Sequence, residues 1–457
     1  MQSRLSHTDP INWSPESWKL RPAAQGISYP DTAALAAAEG TLRSLPPLVT
    51  SWEIERLRAE IAEAQAGKRF ILQGGDCAET IADCRADLIA NKLKILLQMS
   101  LVLVHGMKKP VTRIGRFAGQ YAKPRSSPTE TRAGQTLPSY FGDLVNRAEF
   151  TREARTPDPR LMVSAYQHAA ITLNFIRSLV EGGFADLHHP EYWDLSFFSH
   201  ASLSPGMRAE YQRMTANLAD GLRFMEALGE RAVDDITRVE FFTSHEGLNL
   251  YYEAAQTRRV PRREGHYNLT THLPWIGDRT RSADGAHVEY FRGIRNPIGV
   301  KIGHAAAPDE IAALCDRLNP RHEPGKLVLI ARMGAAKVRE ALPGIIRAVG
   351  ERPVLWMCDP MHGNSTTTAK GVKTRSFDAI LDELEGTAGV HEQCGTFLGG
   401  VHFELTGEDV TECIGGASGI TEADLSTNYV SLCDPRLNYQ QALELAFLLA
   451  RRMGRVA

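Results

Sequence analysis

Residues 353–364 read PVLWMCDPMHGN. The run 354–358 is short and apolar, the pattern of a strand buried on both faces. Asp359, Pro360, Gly363 and Asn364 then form a turn that carries a carboxylate and the imidazole of His362. A buried strand opening into such a loop is how α/β enzymes present chemistry. Further runs follow the same plan: 70–73 before Cys77, 111–115 before Arg116, 239–243 before Glu246 and 298–302 with Lys301. So do 327–331 before Arg332, 401–405 with Glu404, and 429–433 before Asp434. Helical stretches at 86–105, 306–318, 335–349, 377–385 and 438–452 separate most of them. Alternating strands and helices predict parallel pairing, and eight such strands predict a closed (β/α)₈ TIM barrel with its site on the C-terminal rim. An open doubly wound sheet is the alternative, but no G-x-G-x-x-G follows the first strand.

The remaining segments fit as additions to a single barrel domain spanning residues 1–457. Residues 1–66 read as an N-terminal extension, with a helix over 51–66 capped by Ser51. Residues from about 150 to 232 read as a mainly helical insertion after the second barrel strand. Charge is balanced, 52 Lys plus Arg against 54 Asp plus Glu, so bulk electrostatics gives no case for nucleic acid or a membrane surface. Anion binding must come from local clusters. The apolar stretch 95–104 is too short to span a bilayer and reads as a buried helix. The N-terminus lacks the apolar core of a secretory signal, and seven cysteines without C-x-x-C spacing point to a reducing, cytoplasmic setting.

Two groups of residues at the strand ends carry chemistry. Cys77, His362, Glu404 and Asp434 offer a thiolate, an imidazole and two carboxylates, a mixed set suited to Mn²⁺, Co²⁺, Fe²⁺ or Zn²⁺. Taken singly each is ordinary, since a lone Cys is usually a small core residue and Asp before Pro a turn former. Their shared position at strand ends makes them a set. The second group is cationic: Arg116, Lys123, Arg125, Arg279, Lys301 and Arg332. Lys301 and Arg332 sit in or at the end of apolar runs, where a charge needs an anion to meet it. Lys123, Arg125 and Arg279 lie in polar loops, where solvated charge is the ordinary expectation. Cations converging beside a metal suggest a substrate with two anionic groups, such as phosphates. His245 and Glu246 read equally as an acid/base pair or as polar rim residues.

An ordered set of motifs resembles one family. GGDCAE (74–79), GRFAGQYAKPRSS (115–127), FFTSHEGLNLYYE (241–253), WIGDRTRSADGAH (275–287) and NPIGVKIG (296–303) begin it. ARMG (331–334), DPMHGN (359–364), GGVHFELTGEDVTECIGG (399–416) and CDPRLN (433–438) complete it. Together they resemble class II (plant-type) 3-deoxy-D-arabino-heptulosonate 7-phosphate (DAHP) synthase. The resemblance implies condensation of phosphoenolpyruvate with erythrose 4-phosphate and water, the first step of the shikimate pathway. It implies that Cys77, His362, Glu404 and Asp434 bind a divalent metal, with Mn²⁺ or Co²⁺ foremost. It makes Arg116, Arg279, Lys301 and Arg332 the phosphoenolpyruvate cluster, and Lys123, Arg125 and Ser126 the erythrose 4-phosphate contacts. Lys301, Arg279 and Glu246 are the expected catalytic groups, and Trp275 and Asp278 complete the substrate set.

One position departs from the family pattern: Asp278 stands where Glu is expected, and the shorter carboxylate is expected to shift Arg279 or the attacking water. Cys433, next to Asp434, is a candidate disulfide partner for Cys77. A homo-oligomer is expected, and aromatic amino acids are the effector class, in the helices where the family varies. Two rival readings stand beside the main one. One is an amino-DAHP synthase of antibiotic assembly; the other is a silent paralogue that binds phosphoenolpyruvate or docks on an enzyme such as chorismate mutase.

Overall fold

The computed structural model describes residues 13–182, 205–206, 208–214, 216 and 240–454. Its core is a closed barrel of eight parallel strands: Phe70–Gly75, Val111–Arg116, Phe241–Glu246, Leu273–Ile276, Ile298–Gly303, Leu327–Arg332, Val354–Cys358 and Leu398–Glu404. Each strand pairs with its neighbours in the chain, and the last closes on the first in the register Ile71↔Gly400 to Gly75↔Glu404. The strands are buried almost throughout, as both faces of a barrel strand must be. Helices cover the outside, and every strand therefore releases its C-terminal end at the same mouth.

Seven of the eight expected strands are present. The expected strand at 429–433 is not: its place in the barrel is taken by Leu273–Ile276. Residues 429–433 have the aromatic and β-branched content of a strand, yet Val430 and Leu432 are exposed. The amides of Val430 and Ser431 donate to Glu412 Oε1 at 3.2 and 2.8 Å, so a carboxylate replaces the strand ladder. Leu273–Ile276 was hidden because it has only four residues, one of them Pro274, which cannot donate to a neighbour.

Helix ends follow their local chemistry. The helix Ser51–Gln65 is capped by Thr50, not Ser51, through a capping box with Glu53. Pro308 opens Pro308–Leu318 at its first turn, two residues past the expected start. Val338–Val349 begins three residues late, after Gly334 at φ +85°, and Phe377–Gln393 runs eight residues beyond expectation. Of the helical insertion expected from about 150 to 232, the helices Arg152–Arg155 and Arg160–Glu181 are described; residues 183–204, 207, 215 and 217–239 lie outside the described set. Ala86–Met107 is long and apolar enough to cross a membrane by length and composition alone. It is instead a barrel helix, with its apolar side chains in the same core as those of Tyr439–Gly454. The N-terminal segment is pinned by Trp13, whose Nε1 donates to the Glu289 carbonyl at 2.9 Å.

Burial also sets an acid limit on stability. It pulls the imidazoles of His287 and His391 down to about 4 from an ordinary 6.5. The fold therefore refuses protons that the unfolded chain accepts below pH 6.5, and stability falls as pH drops from 6.5 towards 4. Each histidine contributes about 1.4 kcal/mol per pH unit in that window. The urea midpoint is expected to decline across it, and His391→Leu to make the decline shallower.

Candidate functional site

The mouth of the barrel holds a polar cavity of about 430 Å³, lined among others by Lys123, Arg279, Lys301, Arg332, His362 and Asp434. Strand geometry explains the convergence. Arg116, Glu246, Arg332 and Glu404 are the last residues of their strands, and Cys77 and His362 follow theirs within four residues. Asp434 arrives on the long loop after the eighth strand, not on a strand of its own.

Cys77, His362, Glu404 and Asp434 come together. Cys77 Sγ and one oxygen each from Glu404 and Asp434 lie within 4.8 Å of one another. His362 Nε2 is 3.0 Å from Glu404 Oε1 and 3.9 Å from Asp434 Oδ2. Whether this set suits a cation is tested by Lys123. Its Nζ lies 2.8 Å from Cys77 Sγ, 2.6 Å from Asp434 Oδ2 and 3.6 Å from Glu404 Oε1. Three of the four donors thus already converge on one positive charge, with His362 Nε2 beside two of them, and their chemistry fits a borderline divalent ion.

Supporting groups fix each donor. Asp359 Oδ2 accepts from His362 Nδ1 at 2.7 Å, which leaves Nε2 to face the donor set. Glu404 is fully buried; Arg116 Nη2 donates to its Oε1 at 3.0 Å, and Arg375 Nη1 is 2.8 Å from its Oε2. Burial works to raise the Glu404 carboxyl, but His362, Lys123 and Arg375 outweigh it and hold the group well below its ordinary range. Asp434 is held down likewise, against burial, chiefly by Lys123. Cys77 goes the other way: burial first, then Cys433 and Glu404, push its thiol well above the usual value. Cys77 and Cys433 are both free thiols.

The cations divide into two layers. Lys123, Arg125, Arg279, Lys301 and Arg332 line the cavity, with Ser126 bonded to Arg279 Nη2 at 3.1 Å. Arg116 and Trp275 lie beneath it and are fully buried. Arg116 Nη1 donates to His402 Nε2 at 2.6 Å, while the Trp275 ring sits 5.2 Å from the Arg116 guanidinium and 5.5 Å from Lys301 Nζ. Burial lowers the Lys301 ammonium, only partly offset by Asp359 at 2.8 Å.

Two further positions have specific partners. Asp278 bonds to neighbours other than Arg279. Its carboxylate meets Arg332 Nη1 at 3.0 Å, Arg281 Nε at 3.0 Å and the Gly303 amide at 3.1 Å. His245 and Glu246, which read equally as an acid/base pair or as polar rim residues, face different ways. His245 Nε2 turns away to Glu253 at 2.7 Å, whereas Glu246 faces the cavity. Burial raises the Glu246 carboxyl, against the lowering pull of Lys301 and Lys123. Gly277 makes room for it, because a Cβ there would sit 2.1 Å from Glu246 Oε1.

Reasoning from sequence passed over Arg375, His402, Asp359 and Lys373. Arg375 stands in the polar run KGVKTRS, where nothing marks it as the fully buried partner of Glu404. Lys373 lines the cavity and pairs with Asp434 Oδ1. Asp359 was visible in the turn, and its spacing of three from His362 is the signal that could have identified it.

The model of the Class-II DAHP synthetase family matches residues 13–450. The chain is 49% identical over 456 residues to phospho-2-dehydro-3-deoxyheptonate aldolase from Neurospora crassa, covering 96% of this chain and 94% of that protein. It is 48% identical over 436 residues to the protein of the same name from Streptomyces coelicolor, covering 95% and 96%. A solved phospho-2-dehydro-3-deoxyheptonate aldolase from Francisella tularensis superposes with a TM-score of 0.43 at 16% identity, over 91% of this chain and 96% of that one. The barrel is assigned from its own strand pairing.

Because Asp359 orients His362, Asp359→Asn is expected to weaken binding of a divalent ion about 10- to 100-fold. Calorimetric titration with Mn²⁺, alongside an unchanged circular dichroism spectrum, checks this.

Proposed function

The chain belongs to the class II DAHP synthetase family, and we propose that the cavity at its barrel mouth condenses phosphoenolpyruvate with erythrose 4-phosphate and water, giving DAHP and phosphate. The observation that carries this reading is the juxtaposition of a mixed metal-donor set with six cavity-lining cations, in a chain sharing nearly half its residues with DAHP-named relatives over almost its whole length.

Cys77, His362, Glu404 and Asp434 would hold the ion. Mn²⁺ or Co²⁺ suits the mixed sulfur, nitrogen and oxygen donors. When bound, such an ion supplies a Lewis acid beside the aldehyde of the aldose phosphate. Lys301, Arg279 and Arg332 face the phosphoenolpyruvate phosphate and carboxylate and fix which face of its enol carbon is presented. Asp278 keeps Arg332 aimed, and the Trp275 ring packs beneath Lys301. Lys123, Arg125 and Ser126 take the phosphate of the aldose.

The enol carbon forms the new bond to the aldehyde carbon, whose oxygen gains a proton. Positive charge develops on the former C2 of phosphoenolpyruvate, and water adds there. Glu246, buried and with its carboxyl raised, is placed to accept the proton of that water. The C2–O bond to phosphate then breaks and its electron pair leaves with the phosphate, which takes the proton of the new C2 hydroxyl as that oxygen becomes the ketone. The same three cations stabilise charge on the departing group.

Phosphate release with both substrates is expected to stop on chelation and to return with Mn²⁺ or Co²⁺. No release from the pair after metal is restored rejects the reading. Glu246→Gln is expected to lower kcat about 10²- to 10⁴-fold. The KM for phosphoenolpyruvate should change little, as steady-state kinetics would show.

A further inference from the structure

Between the second and third barrel strands the chain forms a small hairpin, Thr129–Arg132 paired with Gln135–Pro138. The hairpin and its flanks give one wall of the cavity, through Ser126, Ser127, Thr129, Glu130 and Ser139. This wall faces Arg279 across the cavity through Ser126. A carboxylate there is out of place on first inspection, because both substrates are anionic and Glu130 would repel them.

Its surroundings resolve the difficulty. Three guanidinium groups converge on this one side chain: Arg155 at 3.3 Å, Arg125 at 3.5 Å and Arg132 at 2.9 Å. The Tyr140 amide donates to Glu130 Oε1 at 3.3 Å. Arg155 is the anchor. It is buried, and its remaining donors go to the carbonyls of Pro138, Ala148 and Glu149 at 3.1, 2.9 and 3.1 Å. A buried guanidinium tied to three carbonyls needs a negative partner, and Glu130 is the carboxylate that meets it. Among the described residues, Arg125 is otherwise held at its backbone, whose amide donates to Gln25, and by a long 3.9 Å contact from Nη1 to Cys433 Sγ. Glu130 is therefore the group that directs the Arg125 guanidinium. Its own charge is more than neutralised by the three arginines, so it can stand at an anion site without repelling the anion.

We propose that Glu130 is a positioning residue for the aldose-phosphate end of the cavity. It hands the fixed geometry of the buried Arg155 on to Arg125 and to the hydroxyl-bearing hairpin wall. The inference rests on the DAHP synthase reading, and it deepens that reading by separating recognition of the two substrates. Of the groups that meet phosphoenolpyruvate, Lys301 and Arg332 take their partners from Asp359, Asp278 and the His362 carbonyl, away from the hairpin. Erythrose 4-phosphate depends on a wall braced from outside the barrel.

A double-mutant cycle tests it on the full-length, metal-loaded enzyme. Glu130→Gln keeps the shape of the side chain but removes its charge. It is expected to raise the KM for erythrose 4-phosphate about tenfold while the KM for phosphoenolpyruvate and kcat stay within about threefold. In an Arg125→Met background the same change is expected to add little, because its target is already gone. An unchanged KM for erythrose 4-phosphate overturns the proposal. So does an equal shift for both substrates, or an equal loss in both backgrounds. A Glu130→Gln protein that does not fold assigns the carboxylate to the scaffold alone and overturns it as well. A wild-type protein inert towards the substrate pair sinks the functional reading and this inference together, whereas an active wild type with an unaffected Glu130→Gln sinks only this one.

Discussion

A fully buried carboxylate, Glu404, is the constraint from which the rest of the site follows. An ionised group removed from water costs several kcal/mol unless cations and hydrogen bonds meet it closely. Here Arg116, Arg375 and His362 approach to 3.0, 2.8 and 3.0 Å, with Lys123 at 3.6 Å. These partners come from four places in the chain: the end of the second strand, the loop after it, the turn after the seventh and the segment before Phe377–Gln393. No local piece of sequence could assemble them. A closed parallel barrel can, because it delivers all its strand ends to one mouth.

The same constraint explains why the cations form two layers. The inner layer is spent on keeping Glu404 ionised: Arg375 and Arg116 are buried and offer the cavity nothing directly. The outer layer lines the cavity, each member but Arg279 beside a carboxylate of its own, and it places positive charge at the mouth of a chain whose formal charge is only −2. Counting basic residues along the sequence cannot separate the layers, since Arg116 and Arg332 both end apolar strands. The difference lies in what each side chain finds: Arg116 finds His402 and Glu404, whereas Arg332 finds Asp278 at the cavity edge.

What was legible in the sequence follows from this physics. The barrel could be read because seven of its strands are runs of apolar residues long enough to show a period, each followed by a polar group. Leu273–Ile276 could not, since four residues with a proline carry no strand signal of their own. The misassigned run at 429–433 had strand-like side chains but gained its backbone partners from Glu412, which lies in a loop and leaves no mark in the pattern. Among site residues, those at strand ends were visible because charge stood against an apolar background. Arg375 and Lys373 were not, because they lie in a polar loop whose burial is decided by tertiary packing.

Position 278 shows how far a family pattern can be taken. A shorter carboxylate there was expected to shift Arg279 or the attacking water, and its observed partners are Gly303, Arg281 and Arg332. Asp278 Oδ1 is fixed by the Gly303 amide and Arg281, which turns Oδ2 towards Arg332. Gly303 is what lets the short side chain reach, since a Cβ at 303 would come within 2.9 Å of Asp278 Oδ2. Arg279 Nη2 donates to Ser126 Oγ at 3.1 Å. Asp278 therefore bears on how firmly Arg332 is aimed, while Arg279 has its side-chain bond to Ser126. The two ends of the cavity are thereby joined through a neutral hydroxyl, which can let go of Arg279 when a phosphate offers that guanidinium a stronger partner.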